Sequence, residues 1–142
     1  MQKSKSKNTA NFSDEMSDRF MVLAVNVIKL EKQLCKTYSG RHSYGQLYRA
    51  ATSSGANYEE ARAGESPADF IHKLQIVVKE LRESNYWIKL ITKAKMFTGN
   101  DDLLKVLLNE SKELTKITAK SVVTAKLNDS KIRDQSHQHL AF

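Results

Sequence analysis

The chain has 142 residues, a formal net charge of +7 and a pI near 9.5, with one Cys, one Pro and five Gly. That length is one domain able to bury a core without metal or disulfide help, and a single Cys excludes a disulfide-framed fold. The scarcity of Gly and Pro argues for long helices, no apolar run is long enough to span a bilayer, and the basic balance favours an anionic partner.

The opening MQKSKSKNTA carries Lys3, Lys5 and Lys7 and no acid. It lacks periodicity and apolar content, so residues 1–12 are expected to form a disordered basic leader. No secretory apolar core follows, which points to a cytoplasmic protein. The first helix is expected over 13–37, with Asp14 and Glu15 placed against the positive end of its macrodipole. Phe20, Leu23, Ala24, Val27 and Leu34 trace one stripe interrupted only by Glu31, but Met21, Val22, Val25, Ile28 and Leu30 lie off it. A bundle core uses one stripe, so this second apolar face predicts a homo-oligomer.

Gly40 reads as the stop of that helix, and Ser43 with Gln46 as a capping box for a second helix over 44–63. Leu47, Ala51, Ser54, Tyr58 and Ala61 make its inner face, and the small residues from Ala50 to Ala56 permit a close neighbour. The sharpest boundary follows. Gly64 closes the pattern, Ser66 stands at an N-cap, Pro67 at the first helical position and Asp69 three residues after the cap. The third helix is expected over 67–96, with Phe70, Leu74, Val77, Leu81, Ile88 and Ile91 on one stripe and His72, Lys79, Glu83, Tyr86 and Leu90 opposite. Thr98, Gly99 and Asn100 mark a turn. A fourth helix is expected over 101–127 on Leu103, Leu107, Leu114, Thr118, Ser121 and Ala125. Past Asn128 the pattern fails, and residues 128–142 read as a polar tail. The fold class is all-α, an antiparallel up-down four-helix bundle over 13–127, with a helical hairpin plus a detached fourth helix as the alternative.

From about Leu47 to Leu90 the chain resembles the four-helix-bundle protein family, also called the 23S ribosomal RNA intervening-sequence protein family. The residues that carry the resemblance are Arg49, Ala50, Ala51, Ser53, Gly55, Ala56, Asn57, Glu59 and Glu60, then Ser66, Asp69, Phe70, Lys79, Glu80, Glu83, Tyr86 and Trp87. Many members have Gly where this chain has Ala61. The resemblance implies an up-down bundle assembled as a ring of five, and an association with ribosomal RNA intervening sequences. A more distant likeness to the accessory bundle of diversity-generating retroelements implies a partner of a nucleic-acid enzyme such as a reverse transcriptase.

Asn57, Glu60, Lys79, Glu80, Glu83, Tyr86 and Trp87 are the candidate polar network or subunit interface, since a buried polar network specifies one packing. A di-metal carboxylate site needs a Glu-x-x-His pair on each of two helices. The chain offers only Asp69-x-x-His72, and no metal or other cofactor is expected. Cys35 and the histidines lack the coupling that nucleophilic catalysis requires. There is no Gly-rich phosphate loop and no zinc-ligand spacing, so no enzyme activity and no small-molecule substrate are expected. Lys3, Lys5, Lys7, Arg82, Lys89, Lys93, Lys95, Lys126, Lys131 and Arg133 are the candidate contacts to nucleic acid, RNA above all, with Tyr86 and Trp87 available to stack on bases or to fill an interface.

Overall fold

The structure is a computed structural model that describes residues 2–140, with side chains from Asn11 onward. Four helices make up the fold: α1 (Gln2–Leu30), α2 (Tyr38–Arg62), α3 (Pro67–Lys93) and α4 (Asp102–Leu140), with a 3₁₀ turn at Glu31–Gln33 after α1. They form an antiparallel bundle in which each helix packs on the next and α4 closes back on α1. The α4–α1 seam is the least tightly packed. Since α4 lies along α3, the fourth helix is part of the bundle and not a detached element.

Most of the core comes from the expected stripes, but Leu30, read as lying off the α1 stripe, is fully buried, and in α4 Leu104 is buried where Leu103 was expected. Phe20, Leu23, Val27 and Leu30 of α1 meet Leu47 and Ala51 of α2, Leu74, Val77, Leu81, Ile88 and Ile91 of α3, and Leu104, Leu107 and Leu114 of α4, all essentially free of solvent. The small residues of α2 do allow close approach. A Cβ on Gly55 would stand 3.3 Å from the Phe20 Cβ, and the Phe20 ring stacks on Tyr58 with centroids 4.9 Å apart. Buried Ser54 and Ser84 turn their hydroxyls onto carbonyls three and four residues back, at 2.7 and 2.9 Å, which satisfies them without a partner helix, whereas buried Ser111 also bonds Asn85 of α3.

The start of α3 is the cap read from the sequence: the Ser66 hydroxyl accepts from the Asp69 N–H at 3.1 Å, with Pro67 in the first turn. Its end comes at Lys93, earlier than 96, because Lys95 turns left-handed (φ 52°). The Met96 N–H then bonds the Ile91 carbonyl at 3.0 Å and the Lys95 N–H bonds that of Thr92 at 3.2 Å. This is a Schellman closure with Lys in the position that favours glycine.

The α1–α2 link differs from the capping-box expectation. Thr37, not Ser43, caps α2, its hydroxyl accepting from the Gly40 N–H at 3.1 Å. Gly40 therefore lies in the first turn of α2 and does not stop α1. A Cβ at Gly40 would overlap the Cys35 carbonyl oxygen, so glycine is needed for close backbone approach. Ser43 is buried in the helix instead of capping it. The two links at this end are stitched together: the Cys35 N–H bonds the Met96 carbonyl at 3.0 Å, and the Thr98 N–H bonds that of Gln33 at 2.7 Å.

At the opposite end both terminal helices run past the limits read from the sequence. α1 is helical from Gln2, ahead of residue 13 and through the segment read as a disordered leader. α4 reaches Leu140, past residue 127 and through the expected tail. No Gly or Pro interrupts either extension, and once a helix is nucleated each added residue costs little. An Asp129–Arg133 ion pair at 3.3 Å, one turn apart, supports the α4 extension. Phe12 and Asn128 line one cavity of about 860 Å³, so both extensions leave the bundle at the same end.

Candidate functional site

The α2–α3 hairpin sets a register in which residues equally far from the Gly64–Ser66 turn face one another. Arg49 of α2 thereby meets Glu80 of α3 at 3.2 Å and also bonds Glu83. The Trp87 indole N–H donates to the same Glu83 carboxylate at 3.4 Å. The hydrogen bond from Arg49 holds the Glu83 carboxyl below its ordinary range, opposed by partial burial and assisted by Trp87. Glu60 lies nearer the turn and takes Lys73 at 2.8 Å. The Asn57 amide donates to the Ser53 carbonyl at 2.9 Å within its own helix, and Lys79 is exposed. The candidate network is thus divided: Glu80, Glu83 and Trp87 come together, whereas Asn57, Glu60 and Lys79 stand apart. Arg49 is the organising cation that the sequence reading left out of the site. Counting outwards from the turn would have placed it opposite Glu80.

A run of rings borders this cluster. Tyr38 and His42 lie nearly parallel with centroids 6.0 Å apart, His42 meets Trp87 edge-on at 5.9 Å, and Trp87 meets Tyr86 edge-on at 5.0 Å. Tyr38 and His42 were not singled out in the sequence, because nothing local signals that the start of α2 lies beside the second half of α3.

Exposed cations line α3 and α4, and Lys29, Lys32, Lys36 and Arg41 are exposed around the α1–α2 link. On α3, Lys79, Arg82, Lys89 and Lys93 are exposed, and on α4 so are Lys112, Lys116, Lys120 and Lys126. Among the described residues none of the eight has an acidic partner within 4 Å. Asn85 of α3 bonds Ser111 and Thr115 of α4, so Arg82 and Lys89 on one side and Lys112 and Lys116 on the other flank a single seam. Acidic side chains gather at the α1–α4 seam, where Asp18, Glu110 and Glu113 line a cleft and Arg19 forks onto Glu110 at 2.7 and 3.2 Å. Lys95 is exposed in its left-handed turn, Lys131 is exposed on the α4 extension, and Arg133 is paired with Asp129. The side chains of Lys3, Lys5 and Lys7 lie outside the described residues.

The larger cavity, between the open ends of α1 and α4, is walled by Phe12, Tyr58, Phe70, Leu74, Ile117 and Ala125, with Arg62 and Lys120 at its polar edge. Arg62 is engaged by Asp14 at 2.5 Å, and burial pushes the Tyr58 hydroxyl up. That lining holds no nucleophile coupled to a base. Among the described residues no group of His, Cys, Asp and Glu is arranged to hold a metal ion, and no helix is long and apolar enough to cross a membrane.

None of the curated proteins compared with the chain matches it. Among solved structures it is similar to a protein of unknown function from the S23 ribosomal protein family of Bacteroides thetaiotaomicron. The TM-score is 0.68 at 30% identity, over 78% of this chain and 96% of that one. A family model described as 23S rRNA-intervening sequence protein matches residues 14–120, a span that takes in α2 and α3 whole, parts of α1 and α4, the Arg49–Glu83 cluster and the α3–α4 seam. The chain belongs to the 23S rRNA-intervening sequence protein family.

Proposed function

We propose that this is a non-enzymatic, homo-oligomeric bundle that binds RNA through the basic face of α3 and α4. The observation that carries the reading is the separation of charge. Arg19, Arg49, Arg62 and Lys73 are each paired with an acid, while Arg82, Lys89, Lys93, Lys112 and Lys116 have no acidic partner within 4 Å along one seam. Unpaired surface cations along a groove are what a phosphate backbone neutralises with release of counterions. The family description, which names the 23S rRNA intervening sequence, is in keeping with an RNA ligand. Assembly is supported by the outer face of α1, where Met21, Val22, Val25 and Ile28 are all exposed. A ring of five is the stoichiometry that the family resemblance favours, and it would multiply modest contacts through effective concentration.

A second reading is a structural or protein-binding assembly that partners a nucleic-acid enzyme such as a reverse transcriptase, with no direct contact to nucleic acid. The apolar face of α1 favours it, since that face suits a foreign helix as well as a second copy. Two measurements separate the readings. Titration of a labelled RNA across a salt series gives affinity that falls steeply with salt if the basic seam binds phosphates, and no binding at low salt leaves only the second reading. Light scattering giving a mass near the 16.1 kDa monomer would refute self-assembly.

A further inference from the structure

The four rings beside the Arg49–Glu83 cluster narrow the form of the ligand, an inference that rests on the RNA-binding reading above. Tyr38 and Tyr86, at the two ends of the run, are 77% and 59% exposed, and His42 between them is exposed as well. Trp87 is half-buried and anchored, since its N–H is held by Glu83 and Glu83 is held by Arg49. The run is therefore a fixed base with two open aromatic faces. On the 100° helical step Tyr86 falls in the same exposed stripe of α3 as Lys79, Arg82, Lys89 and Lys93, so its ring stands among cations that lack acidic partners. Rings for bases and cations for phosphates are the two ingredients of single-strand binding. A duplex keeps its bases stacked on each other, so it can use the cations but not the rings.

We propose that this face takes unpaired nucleic-acid strands, with bases stacking on Tyr86 and Tyr38 and phosphates lying on Arg82, Lys89 and Lys93.

The test uses the full chain and two labelled probes at low salt, an unstructured oligouridylate and an RNA duplex of equal length, read by fluorescence anisotropy. Tyr38→Ala and Tyr86→Ala are each expected to weaken the oligouridylate about tenfold and the duplex by less than about twofold, with Tyr86→Phe close to the parent. Equal weakening of both probes, or no weakening of the single strand, overturns the proposal and leaves the RNA-binding reading standing. Ring substitutions that lower the oligomer mass in light scattering without changing single-strand affinity also overturn it, and assign the rings to a contact between copies. Failure of the parent chain to bind either probe removes the RNA-binding reading and this proposal with it.

Discussion

Arg49 and Glu83 bind each other across the α2–α3 seam, and the carboxylate that receives the guanidinium also receives the Trp87 indole one turn along α3. A surface ion pair thereby orients the one tryptophan of the chain. Both partners keep solvent access, so the pair contributes to stability only modestly, below about 1 kcal/mol. Because the pKa of Glu83 is depressed from its ordinary value of 4.5, this contribution is present above that value and lost as pH falls through the lower, folded-state value. Urea denaturation followed by Trp87 fluorescence should show Arg49→Met less stable than the parent at neutral pH, with the difference closing in acid. A difference that persists unchanged in acid would refute the pairing as its cause.

Lys95 closes α3 in a left-handed conformation that costs an L-residue roughly 1–2 kcal/mol, part of which glycine returns through its greater freedom when unfolded. Lys95→Gly is therefore expected to raise stability by about 0.5–1 kcal/mol. Thermal or urea unfolding that shows no gain would mean that the Lys95 side chain makes a compensating contact.

Thr118 is buried in α4, and its hydroxyl has no hydrogen-bond partner among the described residues. Valine has nearly the same shape and no polar atom to desolvate. Thr118→Val should stabilise the bundle by about 1 kcal/mol, measured by chemical denaturation at constant m-value. A loss of stability would show that the hydroxyl is satisfied in solution.

Removal of residues 129–142 discards Lys131 together with Arg133, which is already paired, and the helix lost over 129–140 is mostly exposed and carries little core. The truncated chain should unfold at nearly the parent temperature and keep most of its RNA affinity. Replacing Arg82, Lys89, Lys112 and Lys116 by Gln should lower the slope of log affinity against log salt by about 3 for a single strand, at about 0.7 per phosphate contact. The reverse pattern, with the truncation abolishing binding and the Gln variant near the parent, would place the site on the terminal extension.

What the sequence determined by itself was local: the number of helices, the stripes of the core, the Ser66 cap with Pro67 and Asp69, and the close approach allowed by Ala50, Ala51 and Gly55. Each depends on residues within a few turns of one another, where periodicity and capping act. The second apolar face of α1, on Met21, Val22, Val25 and Ile28, was legible in the same way. Tertiary packing decided the rest. Thr37 could cap α2 only because the chain leaves α1 through a 3₁₀ turn into extended backbone, and Gly40 is required by a carbonyl five residues earlier, not by a helix end. The pairing of Arg49 with Glu83, the gathering of Tyr38 and His42 beside Trp87, and the exit of both terminal extensions at one end depend on the rotation and register of whole helices. Those are set by burial summed over the entire core, a quantity that no short stretch of sequence contains.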